Sequence, residues 1–180
     1  LVYFEALRRT TATTAVILLY TSPVFVTLGA SVFFEERLTR VKTAALIITF
    51  AGCFLVAGGY DPALLALNPA GVLLSLAAAI TYATYTLLGK HALSKYSSQT
   101  TVLYAFGFGS LFLVCLAGGK LYQTATLPPA AWLLILALAW GPTLMAYALY
   151  VRALDYIEAS HAGIICMAEP AATALLAFAI

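Results

Sequence analysis

Six stretches of the chain have almost no charge, and they decide what it can fold into. Residues 10–34, 43–60, 62–89, 96–119 and 121–151 contain no Asp, Glu, Lys or Arg, and 159–180 contains one, Glu169. A bilayer core about 30 Å thick needs roughly 20 apolar residues at about 1.5 Å per helical residue, so each stretch can hold one spanning helix. Spanning strands would be about 10 residues long with alternating polarity, and these runs are continuously apolar for far longer, which excludes a β-barrel. The composition agrees: 63% of residues are hydrophobic and 9% charged, against roughly 25% charged in an ordinary soluble domain. The chain reads as an all-α, multi-pass membrane protein with about six spans.

Several chemistries are excluded at the same level. The net charge of +2 is small and scattered, whereas nucleic-acid binding needs a clustered basic face. Cys53, Cys115 and Cys166 sit inside apolar runs without a Cys-x-x-Cys pair or metal-ligand spacing to a histidine, so they read as small buried hydrophobes. No phosphate-binding Gly-x-x-x-x-Gly-Lys-[Ser/Thr] loop is present, and no cofactor, metal or ATP hydrolysis is expected.

The chain also repeats itself. Shifted forward by 147 positions, residues 1–30 fall on 148–177 with nine identities, among them Tyr3 on Tyr150, Ala6-Leu7 on Ala153-Leu154 and Pro23 on Pro170. In both copies a Tyr-x-x-Ala-Leu segment and a polar break precede an apolar helix interrupted by proline, the pattern of transporters built from duplicated halves. Lysine and arginine in short loops collect on the cytoplasmic side. The loops after the first, third and fifth spans hold Arg37, Arg40, Lys42, Lys90, Lys95 and Arg152, twice the number on the opposite side. Loops 35–42, 90–95 and 152–158 are therefore expected in the cytoplasm of a cell-membrane protein.

Five crossings separate the first span from its repeat partner, the sixth, so the two must run in opposite directions. Inverted repeats are the common basis of alternating-access carriers. Two halves with this period need about 294 residues, and the sequence opens without methionine and stops within an apolar run. The expectation is an internal piece of a ten-span protein, running from the end of the third span into the ninth. Residues 1–59 would end the first five-helix repeat and 60–180 would form most of the second.

Local signals mark the helix ends. Asn68-Pro69 and Pro128-Pro129 read as helix starts, and Gly58-Gly59 and Gly118-Gly119 as helix ends. Cys53 with Ala57, and Ala105 with Gly109, put small residues four apart, a spacing for close helix approach.

Thr21-Ser22-Pro23-Val24-Phe25, followed by Glu36-Arg37-Leu38-Thr39, resembles the fourth span and exit loop of EamA-type transporters of the drug/metabolite transporter superfamily. The span over residues 71–93, and Ala146-Tyr147-Ala148-Leu149-Tyr150 through Glu169-Pro170, resemble that family's sixth, eighth and ninth spans. The resemblance implies ten helices, small-molecule transport, and a cavity between the halves lined by the fourth, sixth, eighth and ninth spans among others. One departure is Glu35, where the family usually has glycine.

Glu169 is the sharpest candidate. Eleven residues into its span, it is expected near the bilayer midplane, where a carboxylate is costly and marks function by default. Proton coupling or substrate contact is one reading, and a carboxyl bonded to a neighbouring helix is the other. Pro23, Pro142 and Pro170 each remove an intrahelical hydrogen bond and are candidates for hinges or for freeing carbonyls. Ser22 is the repeat counterpart of Glu169, and Ser22 and Thr21 beside Pro23 are solute-contact candidates, with a bond back to the helix backbone as the alternative. Tyr82 and Tyr85 share one helix face, and Trp140 and Tyr147 stand seven apart on another, two turns along one side. Such aromatic faces suit a solute cavity or lipid-facing packing.

The leading function is a secondary transporter of small organic metabolites or drugs, an exporter driven by proton or solute exchange, with the solute and lipid bilayer as partners. A channel and a non-transporting membrane scaffold are the alternatives. An intramembrane enzyme would need a nucleophile with a base, or a metal set. His91 and His161 lie at or beyond span ends, and Glu169 has no second carboxylate in its membrane region.

Overall fold

The computed structural model describes residues 1–65 and 68–179; Ala66 and Leu67, in the third stretch, and Ile180, at the end of the sixth, lie outside the described residues. Helix is the only regular secondary structure among the described residues, with no strand among them. In order they form α1 (Val2–Arg9), α2 (Ala12–Leu19), α3 (Ser22–Phe33), α4 (Arg40–Val56), α5 (Pro69–Leu93) and α6 (Ser98–Ala117). Then come α7 (Pro129–Leu138), a π-helical segment Ala139–Met145, α8 (Ala146–Tyr156), α9 (Ala159–Cys166) and α10 (Glu169–Ala179).

Among the described residues, all six apolar stretches carry helix. Four runs of described residues are long and apolar enough to cross a membrane, over Ala12–Phe33, Pro69–Leu93, Ser98–Ala117 and Pro129–Tyr156. The second stretch carries α4, whose 17 residues rise about 25 Å, slightly short of a hydrocarbon core. The sixth carries α9 and α10 as two short helices, so it has no single uninterrupted spanning helix.

Side-chain oxygens close the helix starts, satisfying amides that have no partner within the helix. Thr11 accepts from Thr14 N–H, Thr39 from Lys42 N–H, Asn68 from Ala70 N–H at 3.0 Å, and Ser97 from Thr100 N–H. At the ends, Gly58 and Gly118 take φ of +78° and +50°, left-handed conformations that glycine adopts without a Cβ penalty.

Two compact units emerge, one of residues 1–88 with 157–180 and the other of 89–156. In the first, α3 packs on α9, and α4 packs on both α9 and α10. The core is built of small side chains: Ala6, Ala15, Ala30, Ala79 and Ala159 are fully buried beside Val26. Without a hydrophobic drive between helices in lipid, small residues permit the close backbone approach on which packing depends. Gly71 shows how close: a Cβ there would lie 2.7 Å from Thr10 Cβ and 3.2 Å from the Arg9 carbonyl carbon.

In the second unit α6 packs on α8. Phe106 and Tyr147 meet edge to face at 5.6 Å, and Lys90 Nζ donates to the Leu154 carbonyl in the last turn of α8, where a cation complements the helix dipole. Large apolar side chains such as Ile48, Leu103, Phe108 and Leu133 are exposed, the reverse of a water-soluble domain and the arrangement a bilayer solvates. Ala105 and Gly109 fall on such an exposed face, whereas Cys53 is buried with its thiol donating to the Met167 carbonyl at 3.4 Å.

Candidate functional site

The two proline segments break at matching positions. Helix α2 ends at Leu19, Tyr20 and Thr21 form a turn, and α3 starts at Ser22; α9 ends at Cys166, Met167 and Ala168 form a turn, and α10 starts at Glu169. Every boundary differs by the same 147 positions as the sequence repeat. The turn residues agree in conformation, with φ and ψ of −69° and 0° at Tyr20 and −70° and −3° at Met167. One hydrogen bond agrees as well, Thr21 N–H donating to Leu18 O at 3.1 Å and Ala168 N–H to Ile165 O at 3.0 Å, whereas Tyr20 N–H reaches Val16 O, four residues back, and Met167 N–H reaches Ile164 O, three back. Proline thus sits at the second residue of a new helix, where its missing donor matters least. A bend, or a carbonyl left free, within the span is the sequence expectation, and in the structure the helix ends and restarts there, so Glu169 opens α10.

Around the first break, Thr21 Oγ1 donates back to the Leu18 carbonyl at 2.6 Å, the backbone bond named as the alternative to solute contact. Ser22 is buried. Around the second, Glu169 is exposed, and its carboxylate lies within electrostatic reach of Tyr3, Tyr20 and Cys166. The Tyr82 side chain is within hydrogen-bonding reach of Cys166. Tyr82 and Tyr85 are both half-buried on α5. The structure therefore brings Tyr82 and Glu169 to the same break, joined by Tyr3 and Tyr20, which the sequence reading did not single out. Their signal was the repeat register, since Tyr20 is the counterpart of Met167 in the turn.

Trp140 and Tyr147 differ from the simple expectation. The segment between them is π-helical, and its wider turn breaks the 3.6-residue spacing that would align them two turns apart. Trp140 is exposed, while Tyr147 is half-buried against Phe106. Pro142 is the cause: it cannot donate to the Leu138 carbonyl four residues earlier, and Thr143 Oγ1 occupies that carbonyl at 2.9 Å.

A charged cluster at the start of α9 lies outside the sequence-derived candidates. Glu158 holds the N-cap position of α9 without a side-chain cap bond. The Glu36 carboxylate does the capping instead. Its Oε1 accepts from Ala159 N–H at 2.8 Å, and its Oε2 accepts from Ser160 N–H at 3.2 Å and from the Ser160 hydroxyl. Lys42 Nζ stands 3.6 Å from Glu36 Oε2 and pairs closely with Glu158 Oε2. The Glu36 and Lys42 side chains are only 7% and 6% exposed. His161 Nδ1 lies 3.0 Å from the same Glu158 Oε2. The bond from Lys42 holds the Glu158 carboxyl below the usual glutamate range, against a weaker opposing effect of burial. Glu36 reaches this position through a left-handed turn: Glu35 has φ of +55°, and Glu36 N–H donates back to Ala30 O at 3.3 Å.

Apolar helices open to lipid, small-residue packing and spans broken in matched pairs define a multi-pass helical membrane protein. The chain belongs to the EamA-like transporter family, which matches residues 1–58 and 69–180. It is 29% identical over 96% of its length to the uncharacterized transporter YxxF of Bacillus subtilis (strain 168), covering 55% of that protein. It is 32% identical over 97% of its length to an uncharacterized transporter of Archaeoglobus fulgidus, covering 61% of it. A probable terminal-alkyne amino-acid exporter of Streptantibioticus cattleyicolor is 34% identical over 67% of the chain and 39% of that protein. One solved crystal structure superposes with a TM-score of 0.77 at 20% identity, over 97% of this chain and 61% of that one, a likeness of fold. The chain thus spans somewhat over half the length of these two transporters.

Proposed function

We propose that the protein of which this chain is part is a secondary carrier of small organic solutes, with the Ser22-Pro23 and Glu169-Pro170 breaks as the two halves of its solute site. The observation that carries the reading is the matched pair of breaks, equal in register and turn conformation and sharing the hydrogen bond of the second turn residue. Helix breaks near the middle of a span free backbone groups for a solute and allow one half-helix to move against the other. Residues 1–59 would then close one inverted repeat and 60–180 open the next, with loops 35–42, 90–95 and 152–158 in the cytoplasm of a cell-membrane exporter. Glu169 would carry the proton or contact the solute, with Thr21, Ser22, Tyr82 and Tyr85 beside the breaks. The Streptantibioticus relative, named as a probable amino-acid exporter, makes amino acids the first solutes to test.

The test is counterflow in liposomes holding the full-length protein, with labelled amino acids and a wider panel of amines and organic acids. A carrier shows saturable exchange that an unlabelled solute inside accelerates. Flux without saturation or counterflow would mean a channel, and none for any solute a scaffold. Glu169→Gln should remove the pH dependence of exchange; an unchanged rate and pH profile would end the coupling role.

A further inference from the structure

We infer that Glu36, Lys42 and Glu158 are positioning residues, forming a clamp that binds the start of α9 to the α3–α4 corner so that α3 and α9 travel through the transport cycle as one body. The clamp joins three elements. Glu36 lies after α3, Lys42 in the first turn of α4, and the capped amides of Ala159 and Ser160 in the first turn of α9. Below it the two helices interlock through small residues: a Cβ on Gly163 would stand 3.5 Å from Pro23 Cβ and 3.6 Å from Val26 Cβ, with Ala30, Ala159 and Ala162 buried around them.

Two kinds of motion are open to a broken span, and they differ in cost. Parting α9 from α3 would break the three bonds of Glu36 to Ala159 and Ser160 and the Lys42–Glu158 pair together, leaving two helix-start amides and a hydroxyl without their acceptor while Glu36 and Lys42 keep only each other, and a polar group left unpaired costs more than a made bond contributes. Bending at Tyr20-Thr21 or Met167-Ala168 breaks little, because the helical hydrogen-bond ladder is already interrupted there and such interruptions are where helices kink. Movement is therefore directed to the breaks, and α2 and α10 swing against a fixed α3–α9 pair. None of the clamp residues is among the proposed solute contacts, so the clamp sets how far the site opens without touching what it binds.

The functional half of this inference rests on the carrier reading, and the test separates the two. In the full-length protein with every native cysteine replaced, Val26→Cys and Gly163→Cys are introduced together; a Cβ separation of 3.6 Å suits a disulfide. Exchange in liposomes is compared between oxidised and reduced forms of this same variant. The clamp predicts that oxidation leaves exchange within about twofold, since it ties helices that do not part. Loss of exchange on oxidation, restored by reductant, overturns it.

Glu36→Ala added to this pair should lower the maximal exchange rate about tenfold at unchanged half-saturation, because a positioning loss leaves solute contacts intact, and oxidation should recover the rate. An unchanged rate, or no recovery, overturns the clamp. If Glu36→Ala fails to insert, Glu36→Gln, which keeps an acceptor and loses the charge, takes its place in the same comparison. If the parent protein exchanges no solute, the carrier reading fails, and the clamp is judged by deuterium uptake of residues 159–166. Uptake should rise in the Glu36 variant and fall on oxidation; unchanged uptake overturns it.

Discussion

The carboxylate of Glu36 accepts the Ala159 amide proton at 2.8 Å across 123 positions of sequence. A helix that begins with Glu158, whose own side chain makes no cap bond, is thus started by a residue from the corner between α3 and α4. The same carboxylate holds Lys42, which is almost fully buried. Removing it exposes two amides, a hydroxyl and an ammonium at once. Glu36→Ala is expected to destabilise the folded protein by about 3 kcal/mol, the range for breaking a buried pair, and Glu36→Gln by less. Unfolding midpoints of the full-length protein in detergent check the order Ala worse than Gln.

Glu35 stands at φ of +55°, where a side chain with a Cβ is strained by about 1–2 kcal/mol and glycine is not. Glycine gives back part of that through its freer unfolded chain. Because the Glu35 side chain is exposed, nothing else is lost, and Glu35→Gly should stabilise by about 0.5 kcal/mol. A small rise in the same unfolding midpoint is the expected result, and a fall would contradict the account of the turn.

Much of this was legible in the sequence because the bilayer simplifies the rules. Uninterrupted apolar runs predict helices by length alone, Asn68-Pro69 predicts a start that Asn68 does cap, and Gly58 and Gly118 predict ends that need positive φ. The proline repeat predicted where the spans would be interrupted. It could not tell a bend from a restart, because that depends on whether the carbonyls freed by Pro23 and Pro170 find other donors. Glu36 was visible only as part of a loop motif. Its partners lie more than a hundred positions away, and pairing at that distance leaves no periodic trace. Nor could spacing predict the π-helical turn, which follows from Pro142 and Thr143 acting together on one carbonyl.

Two glycines at helix contacts should respond differently to alanine. At Gly29 the nearest obstacle to a Cβ is Leu87 Cδ1, at 2.3 Å, the far end of a side chain that can turn away. At Gly71 the obstacles are Thr10 Cβ and the Arg9 backbone, which cannot move without shifting the start of α2. Overpacking of an unyielding contact costs about 1–3 kcal/mol. Gly71→Ala is therefore expected to be the more destabilising, and equal midpoints for the two variants would refute the distinction.

Acid should loosen the clamp from its outer side. Glu158 is held below the usual glutamate range in the folded protein, chiefly by its bond from Lys42, so in the unfolded chain it takes up a proton at higher pH. Its contribution to stability is present above the usual glutamate range and is lost as pH falls through the lowered value. The carboxylate is about half exposed, which keeps the effect modest through solvent screening. Unfolding midpoints measured from neutral to acid pH should fall less steeply in Glu158→Gln than in the parent, and parallel curves would assign the acid sensitivity elsewhere.

Thr143 offers the clearest separation of a hydroxyl from its shape. Pro142 leaves the Leu138 carbonyl without its α-helical donor, and Thr143 Oγ1 supplies one at 2.9 Å. The i→i+5 backbone bond of the π-helical turn is directed at the same carbonyl, so the hydroxyl acts as its second donor. Thr143→Val keeps the side-chain volume and removes the donor, and is expected to cost about 1 kcal/mol, the scale of side-chain hydrogen bonds in lipid. Thr143→Ser keeps the donor and should stay near the parent. If valine and serine shifted the midpoint alike, packing of the γ-methyl rather than the hydrogen bond would be what sustains the π-helical turn.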